Sequence, residues 1–349
     1  KTGSGTLTVN SMTGSGGTTI SGGTLIALST GSSPNINGTF ERTGTTTINN
    51  GGTLQIRGAM QGAAMPSNPT WNSNIVINSG GQLRLFYDGD NDISTSIIMS
   101  ASNTITGSGE IYFEEIGTMF YRNNSDQTLS VNLTKDSGFT QGGLDLLGTG
   151  TITYDGTVTA VLRVVNGTLK PGTNFDATGG TIVVSPNNTS LGNTSPIFDI
   201  DGEDVTIETL KIESQSGTGT PSIVDSNATA GSITFTTLED DAGDTTTSDT
   251  IISAKLTGTG TIKPRLSSTY STKITSNSSG FTGDIDFSDD TRNLEITGNG
   301  SIGSQIIDVY DGQALEGTLT IDAGALAHSS PIIKLGADDT LNIKGDEEF

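Results

Sequence analysis

Cysteine is absent from this chain of 349 residues, which excludes disulfide staples, thiolate metal sites and a cysteine nucleophile. Histidine occurs once, at His328 in Ala327-His328-Ser329-Ser330-Pro331, a turn-like setting with no patterned Asp and Ser nearby. A lone histidine there reads as a surface residue rather than a catalytic base. No apolar run approaches about 18 residues, so no segment is long and apolar enough to cross a membrane as a helix. A sustained 3.6-residue apolar pattern is missing too, which argues against alternating strand-and-helix architectures. Charge is scarce, 15% of residues against about a quarter in ordinary domains, and it is one-sided. Asp and Glu outnumber Lys and Arg 38 to 16, for a net charge of −22 and an isoelectric point near 4.1. Such a surface repels nucleic acid and anionic membranes and promotes solubility, so neither nucleic-acid binding nor direct membrane insertion by this segment is expected.

What the chain has instead is a pattern written many times over. In Gly44 to Arg57, GTTTINNGGTLQIR, the glycine pair Gly51-Gly52 is followed by polar Thr53, apolar Leu54, polar Gln55, apolar Ile56 and polar Arg57. A period of two marks a strand with one buried face. Equivalent leucines fall at Leu25, Leu54 and Leu83, about 29 residues apart, a repeat length typical of solenoids. Further copies begin at Gly5, Gly109, Gly150 and Gly231, with looser ones at Gly180, Gly283 and Gly317. Each copy supplies a strand that cannot bury its apolar side alone, so stability requires stacking of like strands. Leu25, Leu54, Ile56, Leu83, Leu85, Ile111 and Phe113 are the expected structural core.

The expected fold is all-β: a right-handed parallel β-helix, a solenoid with irregular loop insertions. Short strands rich in β-branched Thr, Ile and Val suit a pleated surface, and Gly, Asn, Asp and Ser suit its corners. Asn-Gly pairs at Asn37-Gly38 and Asn166-Gly167 keep an antiparallel sandwich open as the alternative. Residues 1–349 are expected to form one β-helical repeat region belonging to a longer chain. Residues 59–72, with two prolines and the sole tryptophan, Trp71, read as a protruding loop, and 185–196 as an insertion or sub-domain break.

The segments GSGTLTV, GGTLIAL, GGTLQI, SGFTQGGLDLLGTGTITYDG, LTGTGTI and SGFTGDIDFS together resemble the passenger region of bacterial autotransporter adhesins, with their autotransporter-associated β-strand repeats. The likeness is clearest in residues 1–60, 129–185 and 250–345. It implies a secreted or surface-held bacterial β-helical stalk serving adhesion, aggregation or biofilm formation. The chain ends at Asp346-Glu347-Glu348-Phe349 without the C-terminal membrane barrel such proteins carry, so this piece does not itself show anchoring or self-export.

Two constellations stand out. Asp88, Asp90 and Asp92 place carboxylates at alternate positions, as an EF-hand loop does, but Ile93 sits where Gly is needed and Met99 where the bidentate Glu belongs. A looser Ca²⁺ site at a solenoid corner stays open there and at Asp199 and Asp201, against the simpler reading of solvated acidic turns. Stacking the repeats puts Gln55, Arg84 and Tyr112 in one outward row and Arg57, Phe86 and Glu114 in the next. With Trp71, the residues Arg57, Arg84, Phe86 and Tyr112 form a candidate glycan or partner surface, since aromatic and guanidinium faces stack on sugar rings. The competing reading covers Phe86 and Tyr112 with the 59–72 loop. Sequons such as Asn132-Leu133-Thr134 and Asn227-Ala228-Thr229 are expected by chance in so Asn- and Thr-rich a chain.

The function expected is therefore an extracellular adhesin or stalk without catalysis, its ligand a glycan or cell-surface group. The alternative is a filament subunit self-associating end to end through exposed strand edges. A polysaccharide-degrading enzyme or a phage tailspike-like protein ranks below both, because paired carboxylates are too abundant here to point to a site.

Overall fold

A computed structural model describes residues 1–9, 14–29, 43–58, 70–86, 96–99, 102–114, 118–122, 124–137, 142–186, 194–213, 219–242, 248–267, 269–287, 291–298, 300–304, 306–308, 318–322, 325–326, 332–335 and 339–344. All regular structure among them is β, in parallel sheets stacked as a solenoid. Contacts divide the chain into two compact units. One comprises Lys1–Arg163 with Gly172–Gly179, and the other Val164–Pro171 with Gly180–Phe349. The division thus falls before the 185–196 stretch, of which 187–193 lie outside the described residues.

In the first unit, strands Thr6–Val9, Gly23–Ser29, Gly52–Gly58, Gln82–Phe86, Glu110–Phe113 and Asn132–Lys135 form a six-stranded parallel sheet. Its register sets Leu25 against Leu54, Leu54 against Leu83, Leu83 against Ile111 and Ile111 against Leu133. This is the ladder the leucine spacing implies, and Leu25, Leu54, Ile56, Leu83, Leu85, Ile111 and Phe113 are all buried. Each such side chain contributes roughly 1.5–3 kcal/mol by leaving water. A second face stacks Thr18–Ile20, Thr46–Ile48, Ile75–Ile77 and Ile105–Thr106. A third carries Thr70–Trp71, Ser96–Met99, Thr118–Tyr121 and Gly143–Leu146.

The corner between the second and first faces explains the Gly-Gly pairs. Gly51 and Gly80 each have φ +75°, the left-handed region where glycine is favoured. The Gly51 amide donates to the Gly80 carbonyl (2.9 Å), and the Asn78 side chain donates to that of Asn49 (2.7 Å). The second glycine of each pair is needed for space instead. A Cβ on Gly81 would lie 2.6 Å from the Ile48 carbonyl oxygen and 3.0 and 3.1 Å from those of Asn78 and Asn49. Backbone cannot retreat from a methyl group without losing the ladder. Gly81→Ala is therefore expected to destabilise the first unit by about 1–3 kcal/mol, read as a lower denaturation midpoint. A midpoint equal to wild type would contradict this packing.

In the second unit, Asp204–Glu213 and Ser232–Asp241 pair along almost their whole length. Leu210, Leu238, Ile262, Ile285 and Ile307 form one buried ladder there. Phe198, Ile223, Ile252, Ile274, Ile296 and Ile321 form another. Among the described residues one antiparallel pairing occurs, Arg265–Leu266 against Arg292–Thr297.

That exception holds a buried ionic cluster. Asp240 and Arg265 are both 0% exposed, with 3.4 Å between Oδ1 and Nη1. Thr272 donates its hydroxyl to Asp240 Oδ2 (2.8 Å) and accepts the Arg265 amide (2.8 Å). Ala242 N–H donates to Asp240 Oδ1 (3.3 Å), and Arg265 Nη1 donates to the Thr250 hydroxyl (3.4 Å). Arg292 lies alongside, donating to the Pro264 carbonyl (2.7 Å) and to Asp241 (3.4 Å). Burial pushes the Asp240 carboxyl above its ordinary value, against the lowering influence of Arg265, Thr250, Thr272 and the Ala242 amide.

Candidate binding face

The outward side of the six-stranded sheet gathers polar groups in register. Thr53, Gln82, Glu110 and Asn132 form one row, and Arg84, Tyr112 and Thr134 the next, continued by Gln55, which is buried rather than outward-facing as the repeat stacking suggested. In-register parallel strands repeat about every 4.8 Å, so side chains in a row reach one another. Arg84 grips Glu114 with Nε and Nη2, both at 2.9 Å, and its guanidinium lies 5.1 Å from the centre of the Tyr112 ring. The Tyr112 hydroxyl donates to Asp136, and Glu110 accepts from Gln82 (2.7 Å) and from Thr134. A groove of about 600 Å³ runs beside these rows, lined by Thr53, Ser79, Gln82, Glu110, Asn132 and Thr157 over glycine backbone.

Hydrogen bonding to Asp136, reinforced by burial, holds the Tyr112 phenol in its neutral form and pushes its pKa up from 10.0 to about 12. A folded pKa above the unfolded one means a contribution that is complete below pH 10 and is lost as pH rises through about 12. Tyr112→Phe removes the group, so stability measured between pH 10 and 12 is expected to fall less steeply in the variant than in wild type. Parallel curves would show that Tyr112 is not held by Asp136.

No family model matches this chain, and no curated protein or solved structure matches it. The face must therefore be read from its own chemistry. Arg84 and Glu114 are paired with each other, and the Arg84 guanidinium occupies one side of the Tyr112 ring. What stays open is a hydroxyl- and carboxamide-lined groove. The hydroxyls of Thr53, Ser79 and Ser108 make no hydrogen bond to another described residue.

Of the expected surface residues, Arg84 and Tyr112 come together on this face. Arg57 and Phe86 sit opposite each other at the ends of adjacent strands. Trp71 does not join them. It belongs to the strand Thr70–Trp71, paired with Ile98 and Met99, and is 1% exposed. The expectation of a ligand-facing Trp71 is corrected by that burial, because no ring face is left for a sugar. Of the expected 59–72 loop, 59–69 lie outside the described residues, and its end is this core strand.

Asp88, Asp90 and Asp92 lie outside the described residues, as does His328. Asp199 and Asp201 are placed at a corner of the second unit, with Lys170 Nζ 3.2 Å from a carboxylate oxygen of each. Asp199 also accepts from the Ser226 amide (3.0 Å) and hydroxyl (2.6 Å) and from the Asp201 amide (3.1 Å). Burial disfavours its charge, yet these donors outweigh burial and hold the carboxyl below its ordinary value. Burial likewise opposes the Lys170 charge, and the two carboxylates outweigh it. Among the described residues no three acidic or histidine side chains converge as a metal cluster. At this corner, where a looser Ca²⁺ site was left open, Lys170 bridges both carboxylates.

Gln82, Glu110, Thr134 and Asp136 escaped sequence reasoning. A search at 29-residue spacing steps past Thr134 and Asp136, because Glu110 pairs with Asn132, a shorter turn of the solenoid, and Gln82 and Glu110 show their role only through the hydrogen bonds they make. The signal was present in Asn132-Leu133-Thr134-Lys135, whose alternation matches its neighbours.

Proposed function

We propose that this chain is an extracellular interaction protein, an adhesin or stalk of the autotransporter-passenger kind, that binds through side-chain rows on its solenoid and performs no chemistry. The observation that carries this reading is the groove beside the Arg84–Tyr112 row, where hydroxyl and carboxamide groups lie over glycine backbone. Such a lining suits a ligand rich in hydroxyls, and a net charge of −22 disfavours polyanions. The ligand class is therefore a neutral glycan. The test is a glycan array probed with the purified chain, followed by titration of hits against Glu110→Gln and Arg84→Ala. Binding to neutral glycans weakened at least about tenfold by Glu110→Gln, with an unchanged melting curve, supports the reading. Array hits confined to sulfated glycans, or none at all, overturn it.

A second reading rests on a separate observation. Leu7 stands in line with Leu25 and Leu54 in the core ladder, yet it is 47% exposed. Among the described residues the strand Thr6–Val9 pairs with Gly23–Ser29 alone, and an unpaired strand edge is a template for another chain. End-to-end stacking of copies would cover both. Negative-stain microscopy over a concentration series tests it: filaments that lengthen with concentration and are abolished by Leu7→Lys support stacking, and isolated particles throughout oppose it.

A further inference from the structure

Of four Asn-Gly pairs in the chain, two have both residues described: Asn50-Gly51 and Asn166-Gly167. In any Asn-Gly pair the glycine nitrogen can attack the asparagine carboxamide carbon, since no side chain shields it. The attack needs two conditions: the nitrogen must be free of a strong competing acceptor, and the carboxamide must lie against it.

The two sites differ in both respects. The Gly51 amide donates to the Gly80 carbonyl (2.9 Å) in the next turn of the solenoid. The Asn50 carboxamide oxygen faces Gly80, in the space that a Cβ on that glycine would occupy. The nucleophile is therefore engaged elsewhere, and the carboxamide oxygen lies over Gly80 of the next turn. At the other site, the Gly167 amide donates to the Oδ1 of Asn166 itself (3.0 Å). No backbone carbonyl takes that proton, and no other described residue holds the Asn166 carboxamide. Its carbonyl carbon, one bond from Oδ1, is consequently held against the nucleophile. Gly167 has φ +71°, so the corner is a bend with both residues partly open to water.

We infer that Asn166 is a site of spontaneous self-modification in the folded protein, converting through a cyclic imide to aspartate and isoaspartate. The Gly167 nitrogen loses its proton to water or hydroxide and forms a bond to Asn166 Cγ. The carboxamide nitrogen leaves as ammonia. Water then opens the imide at either carbonyl, so the net change is the asparagine amide plus water giving a carboxylate plus ammonia, with no oxidant or cofactor. Opening at one carbonyl gives aspartate, and opening at the other puts an extra methylene into the backbone.

The location gives this consequence. Gly167 O accepts the Ile197 amide (3.1 Å), and the strand that follows, Thr168–Pro171, carries Lys170 to Asp199 and Asp201. An added methylene and a new negative charge both fall at the start of that strand. The modified chain would carry an age mark in the second unit that does not depend on any ligand.

The test is peptide mapping by mass spectrometry after incubation of the purified full chain in mildly alkaline buffer, with an isoaspartyl methyltransferase readout. A parallel sample is held in concentrated urea. In the folded chain Asn166 is expected to convert at least about tenfold faster than Asn50, because hydrogen-bonded backbone must open before it reacts. In urea the two rates are expected to lie within about twofold, since both become plain Asn-Gly peptides. A folded-state ratio near one, or one favouring Asn50, overturns the inference. So does conversion of Asn166 more than tenfold slower in the folded chain than in urea.

Discussion

Replacing Arg265 with methionine is expected to destabilise the second unit by about 3–5 kcal/mol, since it leaves the Asp240 carboxylate buried without its counter-charge. Methionine matches much of the arginine stem, so packing is largely kept and the lost term is electrostatic. Asp240 retains Thr272 and the Ala242 amide, but neutral donors do not replace a guanidinium. Burial already pushes this carboxyl above its ordinary 3.8 in the wild type. Its contribution is therefore complete below pH 3.8 and is lost as pH rises through the folded value. Removing the cation raises that folded value further, so the deficit of Arg265→Met should be largest near neutral pH and shrink on acidification. Adding Asp240→Asn keeps an acceptor for Thr272 and Ala242 without a charge, and the double variant should recover more than half of the loss. Urea denaturation of the four proteins of this cycle measures the coupling directly. A loss in Arg265→Met below about 1 kcal/mol would mean that the pair is solvated and the cluster is not dry.

The cluster also shows where sequence reading stops. The ladder from Leu25 to Ile111 was legible because its spacing is regular and its alternation has period two, two signals that local chemistry forces on a stacked strand. Outward partners such as Arg84 and Tyr112 followed from the same register. Asp240 and Arg265 followed from nothing local. Asp240 lies in an acidic run that reads as solvated, and Arg265 follows a proline within one short polar stretch. They meet because the strand bearing Asp240 ends where Arg265–Leu266 turns antiparallel. Lys170 and Asp199 are similar, joined by stacking of turns whose lengths differ. Composition identifies turns of a solenoid well, but pairing between corners depends on the length of each turn, and those lengths vary along this chain.

Trp71→Ala is expected to cost about 3–5 kcal/mol of stability while leaving binding at the outer face of the first unit unchanged. Trp71 is the largest side chain among those buried almost completely, and it stands on the third face of the first unit, against Met99. Sequence context pointed the other way: a tryptophan beside two prolines in a polar stretch reads as a loop residue offering its ring to a ligand. The structure places it in a strand instead, and the two roles make opposite predictions. If Trp71 were a ligand platform, truncation would weaken glycan binding and spare the fold. As a core residue, it leaves a cavity beside the paired strand Ser96–Met99, which places the cost in the range for large-to-small core changes. Because it is the sole tryptophan, its fluorescence reports on one site. The emission of the folded wild type should be blue-shifted and resist quenching by acrylamide, moving to the red when urea unfolds the first unit. Red emission in the native protein, with free quenching, would put the ring back at the surface and return Trp71 to the list of ligand-facing residues.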